Sequence, residues 1–378
     1  MQEHYRDLGI FSDWVGAAHQ QQTLRPFAEP GPQTQYSVRD LLGFTDESEL
    51  PADVRTERAW TRDGLSGEEV TWSVGYGPRT HAWVLRPADA RDPLPGVLAL
   101  HGHDGFKYFG KEKIADGPGE PPASVTNLRT ELYQGRAFAN VLAARGFVVL
   151  VHDVFLWGSR GFPLDTILEA TQPRPHNAAP AEMLSNVERY NAAAGEHEHL
   201  VAKYCSMLGT SLAGVVSHED RAAVSYLCSR PDVDTDRVGC AGLSGGGCRA
   251  ALLQATCDHV NAAVIVGMMS IHEQLIDHHV GHHTWMFFPP GLATQADWPD
   301  LAACRAPSPL LVQYNRGDHL FTTNGMRAAH DRITAHYHAA GNTGAYRGEF
   351  YDGPHKFDQA MQDSAFCWVA AQLASSKA

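Results

Sequence analysis

The sequence predicts an α/β architecture, a mostly parallel central sheet flanked by helices, and three observations carry that expectation. Apolar runs of strand length recur at residues 95–100, 147–151, 260–268 and 307–314, and the first is continuous, as strands buried on both faces are. A helical stretch at 138–145, stopped by Gly146, links the first two runs into a βαβ unit, which makes its strands parallel. Finally, Arg237-Val238-Gly239-Cys240-Ala241-Gly242-Leu243-Ser244-Gly245-Gly246-Gly247 reads as a buried strand that turns tightly into a helix through Cys248, Ala250, Leu252 and Leu253.

Around that framework the elements follow in order. Residues 1–66 lack period-two patterning and are broken by a Pro/Gly/Gln stretch at 26–35, so they are expected to form an N-terminal helical extension. Val70 to Tyr76 and His81 to Leu85 alternate around a Gly-Pro turn as an antiparallel hairpin, which opens a catalytic domain spanning 67–378. Two insertions are expected within it, near 162–195 and near 271–300. The second is long for a connection and rich in His and aromatic residues, so it reads as a lid. Residues 196–230 are rich in helix formers, with Leu200, Tyr204, Leu212 and Val215 at helical spacing. A helix at 324–338, a strand at 346–351 and a helix at 357–374 complete the chain.

Composition narrows the partners. The chain has 378 residues, 43% hydrophobic and 19% charged, and a formal net charge of −13. That charge repels nucleic acid and anionic membrane surfaces, whereas neutral or cationic small molecules meet no such barrier. The first residues are charged where a secretory signal needs an apolar run, and no segment is long and apolar enough to span a bilayer, so a soluble, cytoplasmic protein is expected. The seven cysteines are odd in number and lack a Cys-x-x-Cys pair, which points to reduced, packed thiols. Monomer and homo-oligomer both remain open.

The chemistry centres on Ser244. In Gly-x-Ser-x-Gly the flanking glycines allow a turn that holds one hydroxyl clear of the backbone. A phosphate-binding loop would end in Gly-Lys-Ser/Thr, which is missing here. A serine hydroxyl needs a base within hydrogen-bond reach and a third group to orient that base. Asp318, after the strand at 307–314, and His355, after the strand at 346–351, supply candidates in the order Ser, acid, His.

Through His101-Gly102-His103-Asp104-Gly105, Gly242-Leu243-Ser244-Gly245-Gly246-Gly247, Arg316-Gly317-Asp318 and Gly353-Pro354-His355, the chain resembles the α/β-hydrolase superfamily. The likeness is to its dienelactone-hydrolase-like and acetyl-xylan-esterase-like branch, over about residues 70–375. Dienelactone hydrolases use a cysteine nucleophile where this chain has Ser244. The resemblance implies an oxyanion hole made by the backbone N–H groups of Gly245 and His103. It also implies a serine esterase working on a small-molecule ester through an acyl-enzyme, without cofactor or metal. A peptidase or amidase of prolyl-oligopeptidase type shares the triad order but carries a β-propeller, for which the N-terminal residues are too few. A catalytically silent binding protein of the same fold is the other alternative.

Further candidates surround the expected pocket. Trp157 and Arg160 leave the sheet beside it, with Arg160 readable as a substrate-carboxylate ligand or as an ion pair holding the insertion. Trp285 and Phe287 are candidate substrate contacts on the lid, although lid core is the plainer reading. Lys107, Tyr108 and Lys111 lie just beyond the turn at 101–105 as candidates to line the mouth, with solvated surface residues the plainer reading of the two lysines. The histidine clusters His278-His279, His282-His283, His197-Glu198-His199 and His218-Glu219-Asp220 lack a His-Glu-x-x-His pattern, so they are read as solvated or hydrogen-bonded histidines rather than metal ligands.

Overall fold

The computed structural model describes residues 5–21, 24, 27–43, 50–171 and 185–374. Nine strands among them build one sheet: β1 (Ala52–Arg62), β2 (Leu65–Ser73), β3 (Thr80–Pro87), β4 (Leu94–Leu100), β5 (Val148–His152), β6 (Val233–Leu243), β7 (Ala262–Val266), β8 (Leu310–Asn315) and β9 (Tyr346–Tyr351). The helices are α1 (Asp13–Gln21), α2 (Pro32–Leu42), α3 (Ala123–Tyr133), α4 (Phe138–Ala144), α5 (Leu164–Thr171), α6 (Asn186–Met207), α7 (Leu212–Ser229), α8 (Gly245–Thr256), α9 (Trp298–Ala303), α10 (Thr323–Ala339) and α11 (Gln359–Ala374).

The spatial order is β1-β2-β3-β5-β4-β6-β7-β8-β9. The first three strands are antiparallel to one another, β3 is antiparallel to β5, and β5 through β9 run parallel. From β4 the chain steps to one side to make β5, then returns to the other side of β4 to make β6. Strand ends at such a reversal splay into a crevice, which is where parallel sheets bind ligands.

Both faces of this sheet are covered, and the period-two alternation of side chains sorts the strands between them. Leu98, Leu100, Leu150, Cys240, Ile265 and Val312 pack under α2, α7, α8 and α10. Val97, Ala99, Val149, Leu243, Val264 and Leu311 pack under α4, α11 and the end of α3. Burial on both faces is why these strands read as continuous apolar runs.

Two expectations change. Residues 52–66 are not helical: the extension contributes α1 and α2, after which β1 pairs antiparallel with β2 across Asp63-Gly64, both at positive φ (50° and 77°). Asp-Gly is a hairpin-turn dipeptide, so a local signal was present. It was hidden because β1 is an edge strand with most residues exposed, and therefore shows no apolar alternation. The helical stretch at 196–230 is two helices: α6 stops at Met207, Gly209 turns at φ 76°, and Ser211 caps α7 by accepting from the Gly214 N–H at 3.0 Å. Of the expected insertion near 162–195, residues 172–184 lie outside the described residues, and the rest contributes α5 and the start of α6.

The segment near 271–300 folds over the sheet as short 3-10 turns leading into α9. Phe287 stacks on the buried Trp298 at 4.8 Å, and the Trp298 indole N–H donates to the Phe287 carbonyl at 3.1 Å. All seven cysteines are free, and Cys367 is exposed. Among the described residues no single helix is long and apolar enough to cross a membrane.

Gly209 has open space where a Cβ would sit, so only its positive φ opposes a side chain. Gly209→Ala should therefore cost about 1 kcal/mol of unfolding free energy in a denaturant melt. A loss within error of zero would mean that the α6–α7 bend does not hold this residue in the left-handed region.

Candidate active site

Ser244 sits at φ 58°, ψ −119°, between the end of β6 and the first turn of α8. Non-glycine residues rarely adopt such angles, and they persist only where the surroundings enforce them. Here the Ser244 N–H donates to the Val266 carbonyl on β7 at 2.8 Å, and its carbonyl accepts from the Cys248 N–H at 2.9 Å. The turn also needs glycine on either side. A Cβ on Gly246 would lie 2.2 Å from the Leu100 carbonyl oxygen, and one on Gly242 would lie 2.4 Å from the Gly246 carbonyl carbon.

Two loops at the C-terminal edge bring the other candidates in. After β8, the Asp318 Oδ1 accepts from the Leu320 N–H at 2.9 Å, and its Oδ2 pairs with His355 Nδ1 at 2.5 Å. Backbone bonds from Arg316 N–H to Tyr351 O and from Gly317 N–H to Gly353 O, both 2.9 Å, hold the two loops in register. The Asn315 amide adds a bond to the Lys356 carbonyl at 2.9 Å. With Nδ1–H committed to a buried carboxylate, the imidazole presents Nε2 as its lone pair. Gly267 packs against the same ring, where a Cβ would lie 3.2 Å from His355 Cε1.

Ser244 and His355 face one cavity of about 300 Å³, lined also by His103, Gly245, Met268, Phe287 and Phe321. The Gly245 and His103 backbones touch: a Cβ on Gly245 would lie 2.6 Å from the His103 nitrogen. Gly245 opens the N-terminus of α8, where the helix dipole favours negative charge, and it lines the cavity with His103 and Ser244.

The expected substrate contacts divide. Phe287 lines the cavity. Trp157 is buried beneath it, its ring edge-on to His103 at 5.2 Å and its indole N–H donating to the His103 carbonyl at 3.3 Å. Arg160 is no substrate ligand: it is buried, paired with Glu219 at 2.5 Å, and bonded to the Tyr76 carbonyl at 3.0 Å. Trp285 is exposed and bonds His199 Nδ1 at 2.8 Å, away from the lining.

Lys107 and Lys111 are likewise buried rather than solvated. Lys111 pairs with Asp153 at 3.0 Å and Lys107 with Glu198 at 2.5 Å, partners remote in sequence that a local reading does not supply. Arg249, one turn into α8, was also missed. It pairs with buried Asp220 at 2.6 Å and donates to the His101 carbonyl at 3.1 Å, tying α8 to the end of β4. Burial, with Arg249 and Lys113 nearby, pushes the His101 imidazole well below its usual range, so it stays neutral. Among the described residues no three His, Cys, Asp or Glu side chains converge as a metal site.

No family model matches the chain. A curated relative, "Putative hydrolase YtaP" of Bacillus subtilis (strain 168), is 24% identical over 298 residues, which cover 79% of this chain and 85% of that protein. Among solved structures, a glucuronoyl esterase from Solibacter usitatus matches with a TM-score of 0.62 at 15% identity, over 89% of this chain and 92% of that one. Acetyl xylan esterase 1 from Thermoanaerobacterium sp. JW/SL YS485 matches with a TM-score of 0.56 at 16% identity, over 93% and 97%. The chain has the α/β-hydrolase fold.

His283 on the cavity wall offers a physical test of this packing. It stacks on Phe287 at 4.9 Å and bonds the Leu320 carbonyl at 3.2 Å. Burial lowers its imidazole to about 4, despite the raising effects of that carbonyl and of Asp318. A depressed histidine pKa means that the unfolded chain takes up the proton first, so the stability is full above pH 6.5 and is lost as pH falls toward 4. The loss should be about 3 kcal/mol. In thermal melts across that window wild type should lose stability relative to His283→Phe as pH falls; parallel curves would show a solvated imidazole.

Proposed function

We propose that the chain is a serine hydrolase that cleaves an acetyl or other small acyl ester of an uncharged alcohol, such as a sugar or natural product, through an acyl-enzyme. The observation that carries this reading is the 2.5 Å pairing of His355 with Asp318 beside a cavity onto which a strained Ser244 opens. The esterase names of the structural relatives support the same reaction class. Among the described residues no lysine or arginine lines the cavity, whereas Glu131 and Asp104 do, which favours a substrate without negative charge.

In the proposed reaction His355 Nε2 takes the Ser244 proton as Oγ attacks the ester carbonyl. Asp318 holds the imidazole in the tautomer this needs and stabilises the imidazolium that forms. The carbonyl oxygen becomes an oxyanion facing the N–H groups of Gly245 and His103. Collapse breaks the carbon–oxygen bond to the alcohol, which leaves with the proton from His355. A water molecule, deprotonated by the same nitrogen, then attacks the acyl-Ser244 ester and releases the acid.

A fluorophosphonate should label wild-type protein at Ser244, and Ser244→Ala should abolish both labelling and acetyl-ester hydrolysis while leaving the melting curve in place. Asp318→Asn should lower kcat by a factor on the order of 10⁴, because the amide favours the wrong imidazole tautomer. A folded Ser244→Ala variant with near wild-type turnover would sink the nucleophile assignment. A small effect of Asp318→Asn would remove Asp318 as the orienting acid.

A further inference from the structure

We propose that Glu198 is the positioning residue of the oxyanion site, holding the loop that carries the His103 N–H and the segment that roofs the cavity in one register. The inference rests on the esterase reading above. Glu198 lies on α6, remote from the triad in sequence, and its side chain is only 5% exposed. Its Oε2 accepts from His103 Nε2 at 2.9 Å and from Lys107 Nζ at 2.5 Å. Its Oε1 accepts from the Thr284 hydroxyl at 2.6 Å and from the Trp285 N–H at 3.0 Å. Four donors from two separate segments therefore close on one carboxylate, which suits a group that accepts only.

The connection to the reaction runs through the His103 ring. The Gly105 N–H donates to His103 Nδ1 at 3.1 Å, so the ring proton sits on Nε2 and points at Glu198. The imidazole is thereby held at both nitrogens, while the backbone nitrogen of the same residue lies 2.6 Å from where a Cβ on Gly245 would sit. A backbone donor has no side chain of its own with which to aim it, and here the anchored ring does that. Burial acts to raise the Glu198 carboxyl, but His103 and Lys107 outweigh it and hold the group well below the usual carboxylate range. The anchor is thus ionised throughout the neutral range. Thr284 and Phe287 both line the cavity, so the Thr284 and Trp285 bonds set the height of its roof.

The test uses the full chain, with kcat expressed per site titrated by a fluorophosphonate and with phenylboronic acid as a mimic of the tetrahedral oxyanion. Glu198→Gln turns an NH2 group toward donors that need an acceptor. On 4-nitrophenyl acetate its kcat per titrated site should fall about 10–100-fold, with KM changed less than about threefold. The boronate inhibition constant should rise by the same factor as kcat falls, which a loss of folded protein would not produce. His103→Phe removes the ring's bonds to Glu198 and to the Gly105 N–H while leaving the other three donors on the carboxylate, and it should reproduce both effects even if Glu198→Gln fails to fold. Wild-type kcat per site and boronate affinity in either folded variant would overturn the proposal and leave Glu198 a staple of the fold. A wild-type chain that neither takes up the probe nor hydrolyses the ester would overturn the esterase reading, and this proposal with it.

Discussion

The first turn of α8 lies so close to the end of β4 that a single added carbon on Gly246 would sit 2.2 Å from the Leu100 carbonyl oxygen. Much of the site follows from that approach. It brings the helix N-terminus up to the sheet edge at the topological reversal, where Gly245 lines the cavity. It also leaves the chain between β6 and α8 too little length for a relaxed turn, so Ser244 takes its positive φ. The strain is held by the pairing of β6 with both β4 and β7, and by the Ser244 bond to Val266. Arg249, one turn further on, makes the same approach from the other end by donating to the His101 carbonyl.

Charge supports this geometry from beneath. Lys107, Lys111, Lys113, Arg160 and Arg249 are all buried around the loops that leave β4 and β5, and they pair with Glu198, Asp153, Asp104, Glu219 and Asp220 respectively. Buried ion pairs lose much of their attraction to desolvation, so they are poor sources of stability. Their effect here is geometric. The loop from His101 to Lys113 is largely irregular, and its carbonyls need donors: Lys113 reaches the Phe106 carbonyl at 3.2 Å, and Arg129 reaches those of Glu112 and Ala115 at 2.6 and 2.7 Å. A loop satisfied in this way has few alternative arrangements, because each one would strand a charge in a dry interior.

What the sequence by itself determined is whatever depends on short-range pattern. The parallel strands were legible because burial on both faces makes an apolar run, and the turn at Ser244 because only glycines fit its backbone. Asp318 and His355 were legible because strand ends in a parallel sheet share one edge. Strand β1 was not, since an exposed edge strand takes its conformation from its neighbour rather than from its own alternation. The α6–α7 break was visible only as Gly209 within an otherwise helical stretch. The tertiary structure alone decided which charges are spent inside the protein. Arg160 and Lys107 look the same in sequence whether they face substrate or a buried carboxylate, because Glu219 and Glu198 reach them only through the packing of α7 against the sheet and of α6 against α7. Partner choice across 59 and 91 residues is a property of that packing, and a charged side chain's immediate sequence neighbours carry no trace of it.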